Sequence, residues 1–281
     1  MKLVDLTMPI WPGAGYGEIL PLTNTSVEFT EYMDYQNQGM RMTRMKLNGE
    51  TGSPLMVPQQ HAPFIMTPIQ PDPKYTWKLS DIPLDKLVLR DTVILDVPAA
   101  EGHEIVAGEM EQALARADFR RGDYVLIRTG WGTKERAYTM GVDYLKRSPC
   151  VRHDAGALLA KKMEEMDSQI FMADCALVNP PRVQGYGWFT GDNPLTPLPK
   201  PWPSIEARER VMDMGGAYSY AHTSKEPSSY GALIKKTIGG CKCLVNCHLI
   251  TKPRVKMIIL PMLLKQGGAS PCRFIAVEED E

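Results

Sequence analysis

The run Gly122-Asp123-Tyr124-Val125-Leu126-Ile127-Arg128-Thr129-Gly130-Trp131 enters on a Gly-Asp turn signal, holds four consecutive large apolar or aromatic residues and leaves on a second glycine. A strand with one wet face alternates apolar and polar residues, whereas a strand covered on both faces reads as an unbroken apolar run. Tyr124 to Thr129 is of the second kind. Outward from it, similar runs recur at Thr92 to Val97, Ile170 to Asp174, Cys243 to Asn246, Lys256 to Leu260 and Arg273 to Val277. Strands buried on both faces need helices to cover them. Ala107 to Ala117 is one candidate. Asp154 to Met166 is another, with Asp154 as N-cap and Ala157, Leu158 and Met163 at roughly helical spacing. Strands and helices therefore alternate along the chain.

The 281 residues are 43% hydrophobic and 23% charged, enough apolar surface to offset the entropy lost on folding. Thirty-two basic and 33 acidic residues leave a formal charge of -1, so no strong field draws nucleic acid or anionic lipid, and a small-molecule substrate is the expected partner. The start, Met1-Lys2-Leu3-Val4-Asp5, has no apolar stretch of signal length, and no run of about 18 apolar residues would span a membrane. A cytoplasmic location with six reduced cysteines is expected. Asn179 to Pro203, dense in Pro, Gly and aromatics including Trp188, Phe189 and Trp202, reads as a long loop, equally suited to a lid or an oligomer contact.

Three stretches carry a resemblance. They are Asp5-Leu6-Thr7-Met8-Pro9-Ile10-Trp11-Pro12-Gly13, the run from Gly122 to Trp131, and Ile259-Leu260-Pro261-Met262 followed by Gly268-Ala269-Ser270-Pro271-Cys272-Arg273. Together, in this order and approximate spacing, they resemble the cyclase family that includes kynurenine formamidase and isatin hydrolase. The resemblance runs nearly end to end. It implies an α/β fold of the swivelling β/β/α type, a single domain over residues 1–281, and a homodimer or homotetramer.

That family normally carries His-x-Gly-Thr-His-x-Asp-x-Pro-x-His, whose imidazoles and carboxylate hold a divalent metal that acidifies a bound water. The matching stretch here is Glu50-Thr51-Gly52-Ser53-Pro54-Leu55-Met56-Val57-Pro58-Gln59-Gln60. Glu50 stands at the first histidine, Pro54 at the second, Met56 at the aspartate and Gln60 at the last histidine, with His61 one place on. Pro54 and Met56 cannot bind a hard cation. In the same comparison Asn246 falls where a later strand supplies a ligating glutamate, and Ser228-Ser229-Tyr230 replaces a histidine pair. No metal and no other cofactor is expected at the usual position.

Three readings follow. In the first, the pocket works without metal: Glu50 is a general base, His61 or His222 supplies a proton, and Gln59, Gln60 and Asn246 hold a carbonyl or oxyanion. Hydrolytic ring opening or amide or lactone cleavage leads, with isomerisation or dehydration as the alternative. In the second, a metal has moved, either to Cys241, Cys243, Cys247 and His248 or to a set drawn from Glu50, His61, Asp174 and His222. The cysteine spacing lacks the usual Cys-x2-Cys pairing, and a strand would point its members apart. In the third, the chain binds a small molecule without turning it over. The polar character of Glu50, Gln59, Gln60, His61 and Asn246 favours an enzyme, because such groups are costly to bury with nothing to bond.

Around the pocket, the resemblance brings Trp11 and Tyr16 near as an aromatic wall, against the alternative of packing under a loop. Arg44, like Arg41, precedes the Glu50 turn and could fork onto a substrate carboxylate, or simply face solvent. Arg128 ends a buried strand and needs a partner, as a structural ion pair or a substrate clamp. No nucleophile elbow or phosphate-cradling loop is present, which disfavours nucleotide chemistry.

Overall fold

The computed structural model describes residues 1–11, 27–47, 49–58, 78–140, 143–176, 178, 229–265 and 267–280. The expected loop at 179–203 lies outside them. Twelve strands are described: β1 (Lys2–Asp5), β2 (Glu28–Met33), β3 (Met42–Lys46), β4 (Pro54–Met56), β5 (Arg90–Asp96), β6 (Glu104–Ile105), β7 (Tyr124–Arg128), β8 (Cys150–Val151), β9 (Ile170–Ala173), β10 (Gly239–Cys241), β11 (Arg254–Pro261) and β12 (Ala269–Glu278). The α-helices are α1 (Tyr35–Gln38), α2 (Ala107–Arg116), α3 (Lys134–Thr139), α4 (Asp143–Lys146), α5 (His153–Glu165) and α6 (Ser229–Ile234).

The main sheet runs β1-β12-β11-β5-β7-β9-β10-β4, and β4 also pairs with β12. That last pairing closes β12-β11-β5-β7-β9-β10-β4 into a seven-stranded ring. β12 can serve three neighbours because it is long: Ala269–Pro271 pairs with β4, Cys272–Val277 with β11 and Ile275–Glu278 with β1. Side chains of a strand point alternately to its two faces, so each strand sends alternate residues into the ring. Leu55, Ile94, Tyr124, Leu126, Ile170, Met172, Cys241, Met257, Ile259, Phe274 and Ala276 form the inner cluster. The other phase, Val93, Leu95, Val125, Ile127, Phe171 and Ala173, packs outside against Met110 and Ala113 of α2, Ala155, Leu159 and Met163 of α5, and Leu233 and Ile234 of α6.

This is the α/β fold that the resemblance implies. The double-sided apolar reading holds for β5, β7 and β9, which run parallel under α2 and α5. It does not hold for β11, whose outward positions include half-buried Arg254 and Lys256 and exposed Leu260, because no described helix covers that side. Asp154 is not the N-cap of α5. Arg152 holds that position, and Asp154 sits in the first turn, accepting from the Ala155 amide at 2.9 Å. The buried row of α5 is Ala155, Leu159 and Met163, with Ala157 and Leu158 only half-buried.

The expected strand Cys243 to Asn246 is a loop, and the strand precedes it as Gly239–Cys241, parallel to β9 and antiparallel to β4. Gly240 lies opposite Phe171, and a Cβ there would come within 2.3 Å of the Phe171 ring. The ring fills the space a side chain would take and meets Tyr230 edge-on, with centroids 5.4 Å apart at 71°. Gly240→Ala is therefore expected to push the Phe171 ring against Tyr230 and to cost about 1–3 kcal/mol, the usual range for overpacking a dense core. A lowered midpoint in urea unfolding would register it; an unchanged midpoint would mean the ring has room to move.

Candidate active site

The residues of the altered motif form a tight turn, Gly49 to Ser53, leading into β4. A Cβ on Gly49 would meet the Ala269 carbonyl oxygen at 2.6 Å, and Gly52 takes φ +73° beneath Ile10. Ser53 fastens the turn at both sides: its Oγ accepts from the Met8 amide at 2.9 Å and donates to the Cys243 carbonyl at 2.8 Å, while its own carbonyl accepts from Cys272. Thr51 and Ser53 are buried, so the turn is seated in the barrel end.

The second wall is the loop after β10. The amides of Cys243, Leu244, Val245 and Asn246 donate in turn to the carbonyls of Cys175, Ala173, Leu6 and Gly132, at 2.9–3.1 Å. The loop thus crosses the end of the ring where β9, the Thr129–Gly132 turn and the continuation of β1 leave it. Cys243 and Asn246 adopt φ +61° and +62°, positions that L residues rarely hold without strong local constraint.

Lys242 opens this loop. It is 8% exposed, and its Nζ lies 3.5 Å from Glu50 Oε2. Tyr230 of α6 completes the group. Burial pushes its phenol well up, and the negative charge of Glu50 adds to the rise. The buried Cys243 thiol is pushed up to about 12 by desolvation; the Lys242 charge eases the rise and that of Glu50 adds to it. Glu50, Lys242, Tyr230 and Cys243 therefore share one electrostatic environment.

The remaining expected residues fall as follows. Asn246 occupies the far end of the same loop, where its amide donates to the Asp5 carbonyl at 2.9 Å. Trp11 is half-buried, its ring 4.7 Å from that of Tyr138, at the edge of a cluster containing Met8, Trp131 and Tyr144. Arg44 is exposed on the separate β2-β3 hairpin, over the Tyr32 ring at 5.2 Å. Tyr16, Gln59, Gln60, His61 and His222 lie outside the described residues. Arg128 ties to Asp96, with Nη2 at 2.8 Å from Oδ2, and donates to the carbonyls of Cys247 and Ile250. It is a structural ion pair.

All six cysteines are buried and free, but they do not converge. Cys241 and Cys247 belong to the inner cluster and Cys243 to the cluster at the barrel end, while His248 is exposed. Asp174 is buried with both oxygens occupied, accepting from Thr129 N at 2.7 Å, Thr129 Oγ1 at 2.6 Å and Gly130 N at 2.9 Å. Desolvation raises its pKa, and these bonds offset part of the rise. Among the described residues no group of three His, Cys, Asp or Glu side chains could hold a metal ion. Met56 packs into the outer core, and Glu50 faces an ammonium, which repels a second cation. The described residues do not fit a divalent ion at this position.

Lys242 is the member that the motif comparison does not point to, whereas Tyr230 ends the stretch Ser228-Ser229-Tyr230 that stands where the histidine pair would be. The available signal was a single lysine inside Ile238-Gly239-Gly240-Cys241-Lys242-Cys243-Leu244-Val245, an apolar run that leaves a cation needing a partner.

The chain matches the Cyclase family model over residues 4–168. No curated protein matches it by sequence. Among solved structures it is similar to isatin hydrolase A from Labrenzia aggregata, bound to benzyl benzoate, with TM-score 0.64 and 18% identity over 99% of this chain and 94% of that one. An isatin hydrolase bound to the product analogue thioisatinate gives 0.63 and 14% identity, covering 99% and 93%. A "predicted metal-dependent hydrolase" from Bacillus stearothermophilus gives 0.58 and 16%, covering 98% and 97%. No helix among the described residues is long and apolar enough to cross a membrane.

Asp174→Ala should leave three donors of the Thr129–Gly130 turn without their acceptor in a buried place. A loss of about 2–5 kcal/mol is expected in denaturant unfolding. A change under about 0.5 kcal/mol would show that water replaces the carboxylate at no cost.

Proposed function

The chain belongs to the cyclase family, and on that footing we propose that it is a hydrolase that opens a small cyclic amide or lactone by metal-independent acid-base chemistry with Glu50 as the base. The observation that carries the reading is the placement of Glu50. It stands at a metal-ligand position of the family motif, on a turn whose glycines pack closely against Ala269 and Ile10, and its carboxylate lies against Lys242.

A carboxylate so placed takes a proton from water as the oxygen attacks the substrate carbonyl. The tetrahedral oxyanion then collapses, the ring C–N or C–O bond breaks, and the leaving nitrogen or oxygen takes up a proton. His61 is the proposed source of that proton, with Gln59 and Gln60 as further donors to the carbonyl. Asn246 enters less directly, since its amide is engaged with Asp5 and shapes the loop that carries Lys242. The isatin hydrolases among the similar structures support cyclic amides as the first substrates to try. A homo-oligomer in the cytoplasm remains part of the proposal.

The test is turnover on a panel of lactones, cyclic amides including isatin, and formyl-anilides, before and after chelation, with metal content measured on the same sample. Activity is expected to survive chelation. Glu50→Gln should lower kcat by about 10²-fold or more while ligand still binds, in the range usual for losing a general base. Unchanged turnover in that variant would remove Glu50 from the mechanism. Stoichiometric metal whose removal abolishes activity would overturn the metal-free scheme.

A further inference from the structure

We propose that the ammonium of Lys242 is a tethered cation that stands in for the family's metal ion and receives an anionic oxygen of the ligand, so that the pocket selects small carboxylates and carbonyl compounds that become carboxylates. The inference rests on the reading of Glu50 as part of the active site.

Three observations converge on Lys242. The first is position. Its Nζ lies 3.5 Å from a carboxylate that occupies a metal-ligand place in the motif. The second is burial, since the side chains of Lys242 and Glu50 are only 10% and 21% exposed. Lysine is rarely buried to this degree, and an ion pair with little water around it contributes little net stability, because desolvation offsets the attraction. A structural explanation of the pair is therefore weak. The third is the looseness of the contact. Charge-assisted N–H to carboxylate bonds close to about 2.7–2.9 Å, and this one does not. An ammonium has three donors, and among the described residues its hydrogen-bond acceptor is Glu50 alone. Among the described residues, donor capacity thus remains for an incoming oxygen.

The backbone keeps this cation in place. Directly after Lys242 the chain takes a left-handed residue, Cys243, and its next four amides are all bonded to neighbouring elements. The lysine stem thus leaves from a fixed point. Ring opening of a lactam or lactone converts a neutral carbonyl into a carboxylate, so a fixed positive charge is matched to the developing oxyanion and then to the product. The charge that a divalent ion would supply comes here from the chain itself.

The experiment uses benzoate and phenylglyoxylate as carboxylate probes, titrated calorimetrically into the full-length protein at low and moderate salt, together with Mn²⁺ as a metal probe. Wild type is expected to bind at least one carboxylate, more weakly at higher salt, and to take up no Mn²⁺ at Glu50. Lys242→Met should weaken carboxylate binding by about tenfold or more, whereas Lys242→Arg should stay within about threefold, because it keeps the charge. Thermal unfolding of both variants checks that the fold is intact, and Lys242→Gln serves as the neutral variant should methionine disturb packing. The proposal is overturned by carboxylate binding indifferent to the neutral variants, by no binding of either probe to wild type, or by Mn²⁺ binding that Glu50→Gln abolishes. Its failure is distinguishable from failure of the hydrolase reading. Carboxylate binding that depends on Lys242 without turnover sinks only the latter, and turnover lost in Glu50→Gln but unchanged in Lys242→Met sinks only the former.

Discussion

The pairing of β12 with three different neighbours governs the rest of the molecule. A sheet that ended at β4 on one side and β1 on the other would present two open edges and leave one face of Phe274, Met257 and Leu126 to water. By pairing its first residues with β4 and its later ones with β11, β12 closes the ring and turns one phase of its strands inward, while its last residues also take β1. The same closure fixes the candidate site. The turn that carries Glu50 is pressed against Ala269, and its Ser53 carbonyl is bonded by Cys272, both in β12. The strand that seals the core therefore also sets the position of the proposed base.

The opposite wall is set by a different constraint. The loop from Lys242 to Asn246 holds two left-handed non-glycine residues within four positions, each costing of order 1 kcal/mol or more. Four successive amide bonds to three separate elements hold it in that shape. Gly132 permits the approach, since a Cβ there would lie 2.0 Å from the Leu244 carbonyl oxygen. Asp174 in turn orders the Thr129–Gly132 turn from beneath. Local strain, a glycine with no room for a side chain and a buried carboxylate thus combine to present one lysine toward one glutamate.

Much of this architecture was legible in the chain. The runs at β5, β7 and β9 announced strands covered on both faces, because helices do cover them, and α2 and α5 follow from their spacing. The glycine-rich entry to β10 hid that strand, since Gly239-Gly240 offers no side-chain pattern, and the apolar Cys243-Leu244-Val245 after it imitated one. β11 misled in the other direction: its apolar centre is real, but its outer side has no helix over it. For the candidate site, the motif comparison points to Glu50. It placed the later ligand at Asn246, whereas the residue of that stretch that meets Glu50 is Lys242. Spacing along a strand could not reveal this, because the chain stops being a strand at Cys241, and two left-handed residues redirect every side chain beyond it.

The proposed exchange of a metal ion for an ammonium carries a chemical consequence for the reaction. A divalent ion does two things at once: it polarises the carbonyl and it lowers the pKa of the water bound to it. A lysine ammonium can stabilise negative charge on oxygen, but it has no open coordination position and cannot bind hydroxide as a nucleophile. The two tasks must then separate. In the proposed scheme charge stabilisation falls to Lys242 and activation of water to Glu50, and the two groups must be close enough to act on one carbonyl yet not so tightly paired that each neutralises the other. At 3.5 Å the contact is looser than a closed charge-assisted hydrogen bond, so in this scheme an oxygen arriving beside the pair accepts from the ammonium while a water on the other side of the carboxylate gives up its proton to it. The same division suits any step in which a base removes a proton next to a carbonyl whose oxygen gathers the charge. Isomerisation or dehydration is therefore the natural neighbour of hydrolysis in this pocket, separated from it by whether water or a substrate C–H lies nearest Glu50.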